Sequence, residues 1–397
     1  MKILYLHQYF KIPSEPGGNR SYWMAKKLIE RGHEVTMLTS SSSIRSKIEK
    51  KNIEGINVIY LRVPYNQKMT ISKRMKSFIS FMIKSTYYSF KEKKVDLVLA
   101  TSTPLTIGFP ALILKKLKNI PYVFEVRDLW PEVPIQMGGL NNKLLQNLAV
   151  WFEKTIYKNA LHIIALSPGM VKGVLKYEKE HKVTMIPNMA KIEFFYPREK
   201  NLDLEKKLGL KSHTFKIIHF GALGVANGAS YIIEAAKKIE NQSDVEFVFI
   251  GGGSNEDTLK KECEKNNLNN VKFLGKFAME ETSEIVNLCD VSIVSFLDIP
   301  ILYTNSPNKL FDSLSAGKPI IVNSAGWTKN LVEKNKCGFF VNPKVPEDLV
   351  DKINQLKNNK HLLMVFSENS RKLAKDNFDK EILTDNLANL ISTFNLE

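Results

Sequence analysis

SPNKLFDSLSAGKP, residues 306–319, runs directly into the apolar triplet Ile320-Ile321-Val322. Pro307 suits a first helical turn, where its missing N–H has no partner to lose. Ser306 before it is a natural N-cap. Gly317 is a helix stop, with Pro319 just beyond. The stretch therefore reads as turn, short helix, strand. The start of such a helix offers free N–H groups and a partial positive charge, a ready anion site. Lys309 in the first turn adds a full charge, and Asn308 and Asp312 fall on much the same face. A cation and a carboxylate there suit a nucleoside diphosphate, the cation for phosphates and the carboxylate for ribose hydroxyls. A capped surface helix with a solvated Lys and Asp has the same pattern, so the rest of the chain must decide.

Outward from this stretch, strand and helix signals alternate. Lys2–His7, Glu34–Thr39, Val58–Val63, Leu97–Ala100, Tyr122–Val126, Ile163–Leu166 and Met185-Ile186 are short apolar runs with helical stretches between most of them. Residues 192–200 read as a linker, after which the pattern restarts with Phe215–Phe220, Glu246–Ile250, Val271–Leu274, Val291–Phe296, Ile320–Asn323 and Gly338–Val341. Such βα alternation implies mostly parallel sheets. The expectation is two α/β domains, residues 1–190 and 201–375, with a last helix over 379–397 packing back on the first. Ligands of such sheets bind at the carboxyl ends of strands.

The 397 residues are ample for two or three cores. The formal charge of +16 favours an anionic partner: nucleic acid, a membrane face or phosphorylated substrates. No helix-turn-helix, zinc-finger or RNA-binding signature accompanies the charge, which argues against nucleic acid. Cys263, Cys289 and Cys337 lack metal or redox spacing and read as reduced core thiols of a cytosolic protein. MKILYLHQYF does not read as a signal peptide, because His7 breaks its apolar run. Leu97–Leu114 is long and uncharged, but Pro104, Gly108 and Pro110 favour strand, turn and helix over a membrane span.

Five constellations carry candidate chemistry. Gly17-Gly18, after the first strand, lets backbone approach a ligand ahead of a helix, though without the GxGxxG spacing. Glu125, Arg127 and Asp128 crowd a strand end. There Asp128 or Glu125 is a candidate to orient or deprotonate an acceptor hydroxyl and Arg127 to hold an anion, unless the group is a buried Arg–carboxylate lock. Gly221, Leu223, Gly224 and Asn227-Gly228 form a glycine loop opening the second domain. Gly251-Gly252-Gly253 and Lys276-Phe277 offer backbone and a ring to a base. Finally, the basic segment Lys68–Lys94 interleaves Lys73, Arg74, Lys76 and Lys84 with Met75, Phe78, Ile79, Met82 and Ile83. It reads as an amphipathic helix for an anionic membrane face, or as a core helix with a solvated basic side.

In this order and spacing the motifs resemble family 4 of the retaining glycosyltransferases. The RGHEV run at 31–35, IPN at 186–188, the GALG loop, the triple glycine, NVKFLG at 270–275 and CDVSIVSF at 289–296 all take part. Glu125–Pro131 and SPNK look most like the subgroup that builds bacterial capsule and O-antigen units, with N-acetyl-fucosaminyl-type transfer the nearest. The resemblance implies the GT-B arrangement, two Rossmann-like domains facing across a cleft. It implies a UDP-sugar held by the second domain at Gly221, Leu223, Gly224, Gly252, Lys276, Phe277, Thr304, Asn305, Ser306, Asn308, Lys309 and Asp312, with Gly17 and Gly18 from the first. The acceptor is a polyprenyl-diphosphate-linked saccharide served by Asp128, Arg127 and Glu125. No metal or other cofactor is implied, and the place is the inner face of the cell membrane.

The departures shape the site. Where the family has two glutamates, Thr304 takes the sugar position and Asp312 the ribose position. The usual Arg and Lys of the glycine loop are missing, with Leu223 and Asn227 there instead, which leaves Lys309 to supply the diphosphate charge. Arg127 stands where a histidine is frequent. A UDP-sugar 2-epimerase of the same architecture and a non-catalytic nucleotide-sugar-binding protein are the alternative readings.

Overall fold

Fourteen strands build two sheets in a computed structural model that describes residues 1–66 and 69–394. In chain order they are β1 Lys2–Leu6, β2 Glu34–Ser41, β3 Ile48–Ile53, β4 Ile56–Arg62, β5 Leu97–Thr101, β6 Tyr122–Val126, β7 His162–Ala165 and β8 Val183–Met185. The second sheet comprises β9 Phe215–Ala222, β10 Val245–Gly252, β11 Val271–Gly275, β12 Val291–Val294, β13 Ile320–Val322 and β14 Gly338–Phe340. The first sheet runs β3-β4-β2-β1-β5-β6-β7-β8 and the second β11-β10-β9-β12-β13-β14. All pairs are parallel except β3–β4.

This is the two-domain α/β fold with Rossmann-like parallel sheets that the alternation predicts. The sequence reading missed β3, IEKKNI, because it is a largely exposed edge strand without an apolar face. By packing, Met1–Ile12, Gly18–Pro187 and Leu383 onward form one unit, and Pro13–Gly17 with Asn188–Ile382 the other. The last helix, Lys380–Ser392, thus straddles a unit boundary in the sequence.

Setting aside the antiparallel edge strand β3, the strand order reverses between β1 and β5 in the first sheet and between β9 and β12 in the second. Those switch points open crevices at the carboxyl ends of the strands. The second sheet is buried on both faces, which is why its strands are continuous apolar runs. Ile217, Phe247, Phe249 and Ile293 point into one cluster, and Ile218, Phe220, Val248 and Ile250 into the other. All three cysteines are buried thiols. Burial pushes Cys263 and Cys337 up to about 11 and Cys289 up to about 12.

Among the described residues no helix is long and apolar enough to cross a membrane. The basic segment forms the helix Ile71–Lys91, while Lys68 lies outside the described residues. The apolar positions that looked like one face divide in two. Phe78 and Phe81 are buried, whereas Ile71, Met75, Ile79, Ile83 and Tyr87, every fourth residue, are 39–61% exposed. The helix Lys143–Asn159 also leaves Leu144, Leu145, Leu148 and Trp151 in solvent. A Cβ on Gly139 would lie 4.0 Å from Ile71 Cδ1, so the turn leading to the second helix meets the start of the first.

Candidate active site

In the second domain the opening stretch forms the helix Asn308–Ser315, one residue later than expected. Pro307 takes the cap position and offers no side-chain acceptor. Ser306 is not the N-cap, because its Oγ accepts from the Asn188 amide at 3.2 Å and its carbonyl from Asn188 Nδ2 at 2.5 Å. Leu310 N donates to Pro307 O at 3.1 Å, while the amides of Asn308 and Lys309 precede any carbonyl the helix could offer them. Gly317 ends it at φ +62, with Lys318 N donating to Ser313 O. Leu310, Phe311 and Leu314 are fully buried, so the helix is fixed against the sheet.

This anchoring aims Lys309 under the glycine loop. Its Nζ lies 2.9 Å from His219 Nε2 and 3.2 Å from Asn227 Oδ1, and a Cβ on Gly221 would sit 3.5 Å from its Cε. Lys309 is 7% exposed, and among the described residues no carboxylate pairs with it. Burial pulls its ammonium down to about 7. Burial and then the neighbouring Lys309 charge hold His219 well below its usual value, so its ring is neutral. The position of the missing loop lysine, Asn227, is therefore reached by the ammonium of Lys309 from another element. Asp312, one turn on, accepts through Oδ1 from Lys191 Nζ at 2.5 Å. Burial raises the Asp312 carboxyl against the pull of Lys191.

The glycines sort into two roles. Gly221, at φ +107, leaves room for Lys309. The triple glycine instead packs loop on loop: β10 continues its pairing to Gly251 and Gly252, and a Cβ on Gly251 would stand 1.8 Å from Gly221 O. A Cβ on Gly253 would stand 2.4 Å from Leu223 C and 2.8 Å from Gly224 N. Leu223 itself is 1% exposed in the core, so only its backbone belongs to the loop, bonded to Gly252 and Asn255. An apolar side chain between two packed loops turns inward, so Leu223 can offer the donor loop only its backbone. Gly252 leaves space for the exposed Lys276, whose Cε would meet a Cβ there at 2.5 Å. Phe277 rests half-buried on the apolar cluster beneath. Thr304 and Asn305 are half-buried just ahead of the helix, with Thr304 Oγ1 donating to Ile301 O.

In the first domain β1, β5 and β6 end side by side. Glu125 is 2% exposed and fully engaged: Arg20 Nε donates to Oε1 at 2.9 Å and Thr101 Oγ1 to Oε2. Arg20 also holds the carbonyls of Ile186 and Pro187. Burial alone would raise the Glu125 carboxyl, but Arg20, Arg127 and these hydrogen bonds bring it below its usual range. A carboxylate this buried, ion-paired with Arg20 and held below its usual range is a poor base, which favours Glu125 as a structural group over a catalytic one. It forms the buried lock, with Arg20 as its bonded partner in place of Arg127.

Asp128 stands beyond the strand end, accepts from Thr103 Oγ1 at 3.0 Å, and is raised by burial against the pull of Thr103 and Arg127. Arg127 NH1 lies 3.4 Å from His7 Nε2, whose Nδ1 meets Ser21 Oγ at 2.7 Å. Burial and Arg127 keep His7 neutral. His7 escaped the sequence reading, although its place just after a central first strand was the available signal. Gly17, at φ +130, and Gly18 lie in the loop between His7 and the helix Arg20–Glu30. Among the described residues no cluster of His, Cys, Asp and Glu suits a metal ion.

With this geometry in view, the likeness to known proteins falls on both domains. Residues 17–189 match the family described as "Glycosyl transferase 4-like domain" and residues 201–373 "Glycosyl transferases group 1". The chain is 26% identical, over 79% of its length and 78% of the other's, to the UDP-Gal:alpha-D-GlcNAc-diphosphoundecaprenol alpha-1,3-galactosyltransferase of Escherichia coli. In fold it resembles sucrose-phosphate synthase from Thermosynechococcus elongatus, with TM-score 0.81, 16% identity and coverage of 99% and 98% of the two chains. It also resembles Anabaena HepE, solved with UDP and glucose, with TM-score 0.74, 20% identity and coverage of 99% and 100%. Domain by domain, the chain belongs with the glycosyltransferases of this two-domain family.

Proposed function

We propose that the chain moves a sugar from a UDP-sugar to a polyprenyl-diphosphate-linked saccharide, with retention at the anomeric carbon, in the synthesis of a capsule or O-antigen type polysaccharide. The resemblance of its motifs favours an acetamido sugar. The observation that carries the reading is Lys309, a buried lysine facing a neutral ring and an amide oxygen, in the first turn of a helix and under a glycine loop. Burying a cation without a counter-charge is costly, and a diphosphate supplies that charge. The E. coli relative's UDP-galactose donor and the UDP bound to the Anabaena protein support a uridine nucleotide.

In this reading Asp312 meets the ribose hydroxyls through the oxygen that Lys191 leaves open. Lys309 and the helix N-terminus stabilise the charge growing on the leaving diphosphate, with no metal or other cofactor. The acceptor hydroxyl attacks from the leaving-group face, and its proton passes to the departing phosphate oxygen. On the first domain Asp128 orients the acceptor, and the Arg127–His7–Ser21 chain fixes the ground beside it. The apolar stripe Ile71–Tyr87, flanked by Lys73, Arg74 and Lys76, rests on the anionic inner face of the membrane, where such an acceptor resides.

Titrating the purified protein with a panel of UDP-sugars, and assaying transfer to extracted lipid-linked saccharides, tests this. Lys309→Ala is expected to weaken UDP binding by at least ~1.5 kcal/mol, the loss of a charge-assisted bond. Unchanged affinity would remove the diphosphate assignment.

A further inference from the structure

Lys309 and His219 are two bases sharing one hydrogen bond, 2.9 Å long, inside the second domain. A second positive charge at that distance in a buried place is prohibitive, so the pair carries one charge or none. What surrounds it decides between the two states. Asn227 Oδ1 is neutral. The carboxylate of the same helix, Asp312, is already held by Lys191, just ahead of the linker. Around Gly252, Glu256 is paired with Lys260, and Lys276 adds a positive charge. Among the described residues His219 Nδ1, on the far side of its ring, is buried with no partner beyond its own backbone, and the ring lies 5.7 Å from that of Phe249. Among the described residues the pair thus has hydrogen-bond support for an ammonium and no anion paired with it.

We propose that donor binding is coupled to the uptake of one proton by this pair, with His219 as the positioning residue that holds Lys309 Nζ at the glycine loop. This rests on the reading of the site as a UDP-sugar site and concerns how it is regulated. An arriving diphosphate provides the missing counter-charge and draws a proton onto Lys309. By linkage, affinity then falls as pH rises above the point where the unliganded lysine loses its proton, by up to ~10-fold per pH unit. Lys309 in the unliganded site sits at about 7, which places that fall on the alkaline side of neutrality.

The test is calorimetry on the full chain with UDP-glucose and UDP-N-acetylglucosamine, at pH values from about 6.5 to about 8.5, in buffers of different ionisation enthalpy. The diphosphate of a nucleotide sugar is esterified at both ends and does not titrate in this range, so the proton counted belongs to the protein. The wild type is expected to take up close to one proton at the alkaline end and to bind ~10-fold or more weakly there than at neutrality. Lys309→Arg should bind without proton uptake and with a flat pH profile. His219→Leu removes the ring acceptor and should move the fall in affinity to lower pH, and His219→Gln should restore it. A role for His219 in packing alone would leave the proton count and midpoint in place. Wild-type binding that is pH-independent and proton-neutral overturns the coupling and leaves the transferase reading standing. Folded protein that binds neither nucleotide sugar at any pH overturns both.

Discussion

Lys191 Nζ stands 2.5 Å from Asp312 Oδ1, with side-chain exposures of only 6% and 11%. The lysine comes from the segment just after Pro187-Asn188 and the aspartate from the helix that carries Lys309. The pair therefore fixes the rotation of that helix against the linker. Removing one partner from a buried pair strands the other charge, at a cost of about 3 kcal/mol. Lys191→Ala is expected to lower unfolding stability by that order in urea titrations, and Lys191→Met with Asp312→Leu to recover most of it. Equal losses in the single and double variants would contradict a closed ion pair.

Asp128 and Glu125 separate cleanly by their surroundings. Asp128→Asn is expected to slow transfer at least ~100-fold with donor affinity unchanged, as befits a group acting on the acceptor. Burial raises the Asp128 carboxyl above its usual range. The active carboxylate form is therefore lost at a higher pH than for an exposed aspartate, and kcat should fall on acidification correspondingly early. Glu125→Gln should chiefly reduce stability, by about 2 kcal/mol, because it weakens the Arg20 lock. The measurements are kcat against pH for the wild type beside the first variant, and denaturant midpoints for the second. A stable Glu125→Gln protein without activity would reverse the assignment.

Gly251→Ala places a methyl 1.8 Å from Gly221 O at φ +126. Neither backbone can retreat without breaking the β9–β10 ladder. A destabilisation of about 3 kcal/mol is expected in urea, with weakened UDP binding because Gly221 roofs Lys309. Gly209→Ala at φ +66, with nothing within 4 Å, is the control that has only backbone strain.

Vesicle co-sedimentation tests the stripe on helix Ile71–Lys91. Ile79→Glu with Ile83→Glu should cut binding to phosphatidylglycerol-containing vesicles at least ~10-fold. Alanines at Lys73, Arg74 and Lys76 should each cost about 1 kcal/mol at low salt and little at high salt. Binding that survives both sets would dismiss the membrane role.

How far the sequence could be read differs by element. The βα alternation was legible because buried parallel strands are continuous apolar runs, as Phe247, Val248, Phe249 and Ile250 illustrate. The stripe of Ile71, Met75, Ile79 and Ile83 was visible as helical spacing, but which side faced inward depended on Phe78 and Phe81 finding the core. Lys309 was legible from its place in the first turn. Its partners were not, because His219 lies 90 residues earlier on a strand that adjoins β12 only through the sheet order. Ser306 looked like a cap until Asn188, 118 residues away, took its hydroxyl. Glu125 looked catalytic because Arg20, 105 residues before it, carries no local sign of pairing.

The three buried thiols have a practical corollary. With Cys263, Cys289 and Cys337 raised to about 11 or 12, thiolate is scarce at neutral pH and shielded from reagents. A cysteine introduced at exposed Ile79 or Trp151 would react with maleimides far faster than the native ones. The natural sequence is thus already a quiet background for fluorescent or spin labels placed at such positions, without first stripping the protein of its own cysteines.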